Sequence, residues 1–237
     1  SAGDFSLNFF STGKGTLNYK FGKVLKDHSI LGYDDQPMKI GTCTKHEALE
    51  NDPTYYKIWQ RDFNSITSEY NMKMGTIWKY ASLDDRSFSF QGADQLLRFA
   101  TDQNMRIHGH TLIYAHEMEI PQWVQDIKWL DGDVQWKNLM TEYITGVVTY
   151  FKGKVRSWDV VNEAFDYQGN LFTAANNINS FWYRKVGPDY IKIAFEAAHA
   201  ADPDCLLFYN DYDIVSNDTK RDAILTYLTN LKEAGAP

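Results

Sequence analysis

The sequence predicts an α/β fold built on a parallel sheet. Two observations carry that prediction. Short apolar runs alternate with longer stretches of helical periodicity, and the alternation repeats five times along the chain. The strand candidates are 38–44 (MKIGTCT), 65–69 (SITSE), 106–113 (RIHGHTLI), 155–163 (VRSWDVVNE) and 205–212 (CLLFYNDY). Helical patterns fill 53–64, 92–103, 134–151 and 189–201, and a last one covers 218–234. Pro53 suits a first helical turn, and Gly235 suits a helix stop. A strand that returns to the same sheet after a helix is parallel to its predecessor, which gives the sheet its direction.

Strand starts recur roughly every 42 residues, long for a barrel unit. Eight such units would need roughly 330 residues, so 237 residues reach only the fifth helix. The extra length lies in 70–91, 114–132 and 164–188, each following the C-terminal end of a strand. Strand ends of that kind are where α/β barrels build their sites. These three segments hold Trp78, Trp123, Trp129 and Trp182 with several tyrosines. Residues 1–37 read differently. Apolar and polar residues alternate over 5–10 and 16–21 about Ser11-Thr12-Gly13-Lys14-Gly15, which predicts a β-hairpin in an N-terminal extension. The barrel-type domain is expected over 38–237.

Composition narrows the function classes. The apolar share is 43%, the charged share 23% and the formal net charge −7, values of an ordinary globular chain rather than a disordered one. A pI near 5.3 argues against nucleic acid and anionic membrane surfaces as partners. No run of 18 apolar residues offers a membrane span. Residues 1–4 show neither the basic nor the apolar region of an export signal. Cys43 and Cys205, two cysteines in apolar runs, cannot build a disulfide framework or a four-ligand zinc site and read as buried thiols. Aromatics reach 15%; Trp and Tyr both fill cores and stack on sugar rings.

The strongest chemical signal is Trp158-Asp159-Val160-Val161-Asn162-Glu163. An apolar run delivers an amide and then a carboxyl to a strand end. A carboxyl set among aromatics suits a general acid, and a neighbouring amide suits a neutral polar substrate such as a sugar hydroxyl. His108-x-His110 places two imidazoles on one face of strand 3, a pattern some barrel hydrolases use for a divalent metal. No Asp or further His falls at a convincing metal-ligand position on strands 4 or 5, so a hydrogen-bonded pair in the barrel wall is the expectation, with no metal.

Further blocks surround the Asn162-Glu163 pair. They are Phe63-Asn64-Ser65-Ile66-Thr67-Ser68-Glu69 with Met72-Lys73, Gly109-His110-Thr111-Leu112, Trp158 through Phe165, Ala200-Ala201-Asp202-Pro203-Asp204, Asn210-Asp211-Tyr212 and Lys220-Arg221-Asp222-Ala223. In this order, at strand ends, they resemble glycoside hydrolase family 10, the retaining endo-1,4-β-xylanases, over about 38–237. The resemblance implies a (β/α)8 TIM-type barrel, of which this chain supplies roughly the first five βα units, and cleavage of xylan by double displacement. Glu163 would be the general acid/base and Asn162 the partner of the sugar's 2-hydroxyl. Glu69 and Lys73 would grip the glycone sugar, and Tyr212 and Trp123 would line flanking subsites. No cofactor is implied, and a polymer substrate implies a secreted or cell-surface protein.

The chain departs from the family pattern at three places. Tyr70 follows Glu69 where the family has Asn. Ile113-Tyr114-Ala115-His116 stands where a hydrophobic residue, Trp and a sugar-binding His are usual, so His116 comes one place late and a bulge would be needed to present it. The family's nucleophile lies on strand 7, which this chain does not contain. Glu117 and Glu119 are the nearest carboxylates on a strand-end loop, and nothing in the sequence marks either as a nucleophile. Two functions follow: an endo-xylanase acting on xylan or xylo-oligosaccharides, or a non-catalytic xylan-binding protein or inactive fragment. Five units would leave unpaired strand edges, so a second polypeptide or self-association completing the barrel is expected.

Overall fold

The computed structural model describes residues 39–82, 84–128, 133–173 and 178–237. The hairpin expected within 1–37 lies outside them. Five strands, β1 (Gly41–Thr44), β2 (Ser65–Ser68), β3 (Arg106–Tyr114), β4 (Ser157–Asn162) and β5 (Leu206–Asn210), form one sheet in that order. All four pairings are parallel. The helices are α1 (His46–Asn51), α2 (Pro53–Asp62), α3 (Met74–Ile77), α4 (Gln91–Asp102), α5 (Gln122–Gln125), α6 (Asp133–Phe151), α7 (Phe181–Val186), α8 (Tyr190–Ala201) and α9 (Asp218–Glu233). A 3-10 turn covers Glu117–Glu119.

Two of the long helices, α2 and α9, start at a side-chain cap. Asp52 caps α2 by accepting from the N–H groups of Thr54 and Tyr55 at 2.8 and 3.0 Å, with Pro53 at the first position. Asn217 caps α9 through Lys220 N–H at 3.0 Å. The strands are shorter than the apolar runs that predict them, except β3, which gains Tyr114. The run 155–163 contracts to Ser157–Asn162 because Glu163 leaves the strand with φ +52°. The long βα segments contain unforeseen helices: α3, α5 and α7 each fold inside one.

All six residues of β4 are buried, as a central parallel strand with both faces covered requires. Every residue of β5 is only half-buried, and β1 and β5 each pair on one side only among the described residues. Trp78 and Trp182 are wholly buried. Trp78 stacks on Phe88 at 5.5 Å and meets Trp123 edge-on at 4.9 Å. These aromatics anchor the long segments to the core, so most of the aromatic excess there serves packing.

Candidate active site

The C-terminal ends of all five strands contribute to one polar line. Lys45 follows β1, Glu69 and Tyr70 follow β2, Tyr114 ends β3, Asn162 ends β4 with Glu163 next, and Asn210 ends β5. Carboxyl ends of parallel strands converge where loops are free to diverge, which makes this edge the site-bearing one.

Glu163 stands at the centre of the line. Its Oε2 accepts a hydrogen bond from Tyr114 Oη at 2.6 Å, and its Oε1 accepts from Asn162 Nδ2 at 3.1 Å. Asn162 is buried, and its Oδ1 accepts from Asn210 Nδ2 at 2.7 Å. Burial, followed by the hydrogen bond to Glu163, pushes the Tyr114 phenol far above the ordinary tyrosine range, so it stays neutral and donates. The left-handed conformation of Glu163, at φ +52°, costs about 1–3 kcal/mol, and hydrogen bonds from its own N–H and from the next hold it. The Glu163 N–H donates to Asn210 O at 2.9 Å, and the Ala164 N–H donates to Tyr209 Oη at 2.8 Å.

Behind that backbone lies a buried charge pair. Tyr209 Oη donates to Asp211 Oδ2 at 2.6 Å, and Lys220 Nζ sits 2.6 Å from Asp211 Oδ1. Both members of the pair have side chains 0% exposed. Burial raises the Asp211 carboxyl, against the pull of Lys220 and Tyr209. The same ammonium lies 3.4 Å from the ring centre of Tyr212, fixing that ring beneath it. Tyr212 is 41% exposed and meets Tyr167 edge-on at 6.0 Å.

On the other side, Glu69 pairs with Lys45 at 3.5 Å and hydrogen-bonds the Tyr70 phenol, which raises that phenol. Two ammonium groups lie over the Tyr70 ring, Lys45 at 5.1 Å and Lys73 at 5.3 Å from its centre. Lys73 Nζ is 3.4 Å from Glu119 Oε1 and 5.8 Å from the Tyr114 ring centre. The loop that carries Glu119 packs against α3: a Cβ at Gly75 would meet the Glu119 carbonyl oxygen at 3.1 Å. Arg184 pairs with Glu117 and ties the same turn to α7.

Two residues named from the sequence make no hydrogen bond to Glu163, whose side chain is held by Tyr114 and Asn162. His116 opens the 3-10 turn, its Nδ1 accepting from Met118 N–H at 3.2 Å, with its ring 6.0 Å from Tyr114. The irregularity in the sheet lies earlier, between His110 and Ile113. Trp123 is half-buried against Trp78, donating from Nε1 to Trp78 O at 2.8 Å.

The histidine pair is hydrogen-bonded in the sheet, as the sequence leads one to expect, and the partners come from β4. Asp159 faces His110 in the β3–β4 register, and its Oδ2 lies 2.8 Å from His110 Nδ1 and 3.0 Å from His108 Nε2. Ser157 Oγ lies 2.7 Å from the other nitrogen of His108. Burial pushes the Asp159 carboxyl up, but the two histidine hydrogen bonds outweigh it and hold the group at about 2. The pair is thus bound across the sheet. No group of three or more His, Cys, Asp or Glu able to hold a metal occurs among the described residues. Cys205 is buried and Cys43 only half-buried, and burial pushes both thiols up to about 11.

Comparison with known proteins gives this edge a context. The family model described as glycosyl hydrolase family 10 matches residues 31–237. This chain belongs to glycosyl hydrolase family 10. The chain is 37% identical over 217 residues to endo-1,4-β-xylanase A of Thermotoga maritima, covering 90% of this chain and 19% of that protein. It is 33% identical over 190 residues to endo-1,4-β-xylanase B of Thermotoga neapolitana, covering 80% and 51%. The crystal structure of xylanase 10B from Thermotoga petrophila in complex with xylobiose superposes with a TM-score of 0.71 at 34% identity, over 83% of this chain and 56% of that one.

The chain therefore spans about half the length, or less, of the relatives it matches. As a family 10 chain its five-stranded sheet is part of a (β/α)8 barrel, and the polar line lies on the barrel's C-terminal rim. Reading the sequence missed Tyr114 as a donor to Glu163, Glu119 as the partner of Lys73, and the Lys220–Asp211 pair. A polar residue in a family 10 position that is usually Trp was the available signal for Tyr114. For the other two, only the fold brings the partners together.

Proposed function

We propose that this chain carries the acid/base half of a xylan-hydrolysing site. One observation carries the reading: Glu163 is presented at the end of β4 between an amide and a phenol, on the edge where all five strands place polar groups. In the double displacement, Glu163 protonates the leaving sugar oxygen and later takes a proton from water. Asn162, already at the carboxyl, would turn its amide to the sugar's 2-hydroxyl. Glu69 and Lys73 bind the glycone side, Tyr212 and Trp123 stack on flanking sugars, and His116 adds a polar contact from the turn after β3. The substrate class is xylan or its oligosaccharides. A polymer of that kind places the protein outside the cell or on its surface.

A retaining site needs a second carboxylate about 5–5.5 Å from the first. Glu119 pairs with Lys73 instead, so the nucleophile is assigned to polypeptide outside the five strands, pairing with β1 and β5. That polypeptide is a continuation, a second chain or a swapped copy. Sedimentation of a stable 27.4 kDa monomer, with Glu163-dependent activity, would contradict this part.

The test of the function is reducing-sugar release from xylan with Glu163→Gln as control. Loss of about 10²- to 10⁴-fold in the variant is expected. Equal release by both proteins refutes the reading. Xylan binding with no hydrolysis would leave the alternative, a binding module.

A further inference from the structure

The two oxygens of Glu163 are held differently. Oε2 receives the Tyr114 phenol at 2.6 Å, a short bond from a donor with no other proton to give. Oε1 receives the Asn162 amide at the longer distance of 3.1 Å. Tyr114 and Asn162 are register partners across β3 and β4, so the phenol reaches Glu163 from the neighbouring strand rather than from a loop. The ring of Tyr114 is bracketed by Lys73 at 5.8 Å and His116 at 6.0 Å. The amide, by contrast, has a competing role at a substrate hydroxyl and can release Oε1.

We propose that Tyr114 is a positioning residue that anchors Oε2 of Glu163, leaving Oε1 as the oxygen that carries the proton. The proposal rests on Glu163 being the acid/base. In the first step the proton on Oε1 passes to the glycosidic oxygen. That oxygen takes the electron pair of its breaking bond to the anomeric carbon, while the carboxylate nucleophile bonds to the same carbon. Glu163 becomes a carboxylate, and the Tyr114 bond to Oε2 strengthens as the charge appears. In the second step Oε1 takes a proton from water as its oxygen bonds to the anomeric carbon and the nucleophile leaves. Tyr114 keeps its own proton throughout.

The test compares kcat/KM on two aryl β-xylobiosides, one with a strongly acidic phenol as leaving group and one with a weakly acidic phenol. Only the second needs the acid. Tyr114→Phe is expected to lose about tenfold on the second substrate, the scale of one hydrogen bond to a charged group, and less than about twofold on the first. Equal losses on both, or none on either, overturn the proposal while a discriminating Glu163→Gln keeps the acid/base reading. A Glu163→Gln protein that fails to discriminate between the two substrates removes the acid/base reading, and the proposal falls with it. A second measurement needs no turnover. The Tyr114 ring carbon bearing the hydroxyl, followed by NMR at neutral pH, should shift in Glu163→Gln, because the phenol then loses its carboxylate acceptor. An unchanged resonance shows that the bond is absent and overturns the proposal.

Discussion

The ammonium of Lys220 lies 2.6 Å from the Asp211 carboxylate, and neither side chain reaches solvent. The pair joins the first turn of α9 to the end of β5. Through Tyr209 it also supports the Ala164 N–H, one residue past Glu163. A charge pair this deep is costly to break from one side, because the remaining charge is stranded.

Lys220→Met should therefore destabilise the protein by about 3–5 kcal/mol at neutral pH. Lys220 lowers the Asp211 carboxyl, so its removal lets that group protonate more readily, and the deficit should shrink on acidification. Denaturant titrations at neutral and mildly acidic pH measure both effects. The Lys220→Met, Asp211→Asn double variant should lose less than Lys220→Met alone.

Gly109 faces the indole of Trp158, and a Cβ there would stand 2.2 Å from Cε3 of a ring that is 1% exposed. Gly109→Ala should cost about 1–3 kcal/mol or more, since neither strand has room to yield. Thermal unfolding checks this, and Gly153→Ala serves as a contrast: its φ of +74° adds strain, but nothing lies within 4 Å.

Asp159 gives an acid-side prediction. Its carboxyl is held at about 2 in the folded protein, below the ordinary value of 3.8. A depressed carboxyl contributes stability that is fully present above the ordinary value and is lost as pH falls toward the folded one. Stability relative to Asp159→Asn should therefore decline as pH falls from about 4 to about 2, by about 2 kcal/mol. Parallel acid-unfolding curves for the two proteins would contradict the histidine bonds.

The thiols supply a chemical probe. With both pushed up to about 11 by burial, Cys43 and Cys205 are almost wholly protonated at pH 8. Labelling by a thiol reagent should be slow in the folded protein, rise about tenfold per pH unit below that value, and become fast on unfolding.

Much of the fold was legible because it is written in local chemistry. Five apolar runs became five parallel strands, and the cap and proline at Asp52-Pro53 started a helix where predicted. The Asn162-Glu163 pair was legible for a related reason: two polar residues ending an apolar run have to emerge at a strand end. The short helices α3, α5 and α7 were not, because each is only one or two turns long and held by tertiary contacts, such as Trp78 against Trp123.

The sequence by itself determined the parallel α/β character, the family and the carboxyl at the end of β4. Those follow from periodicity and from motifs within a few residues of one another. Only the tertiary structure decided what each polar group touches. Tyr114 and Glu163 are 49 positions apart, as are His110 and Asp159, and Lys73 and Glu119 are 46 apart. A parallel sheet places the ends of successive strands side by side after a whole helical crossover. Partners at that edge are thus set by register and loop packing, which no local pattern in the chain records.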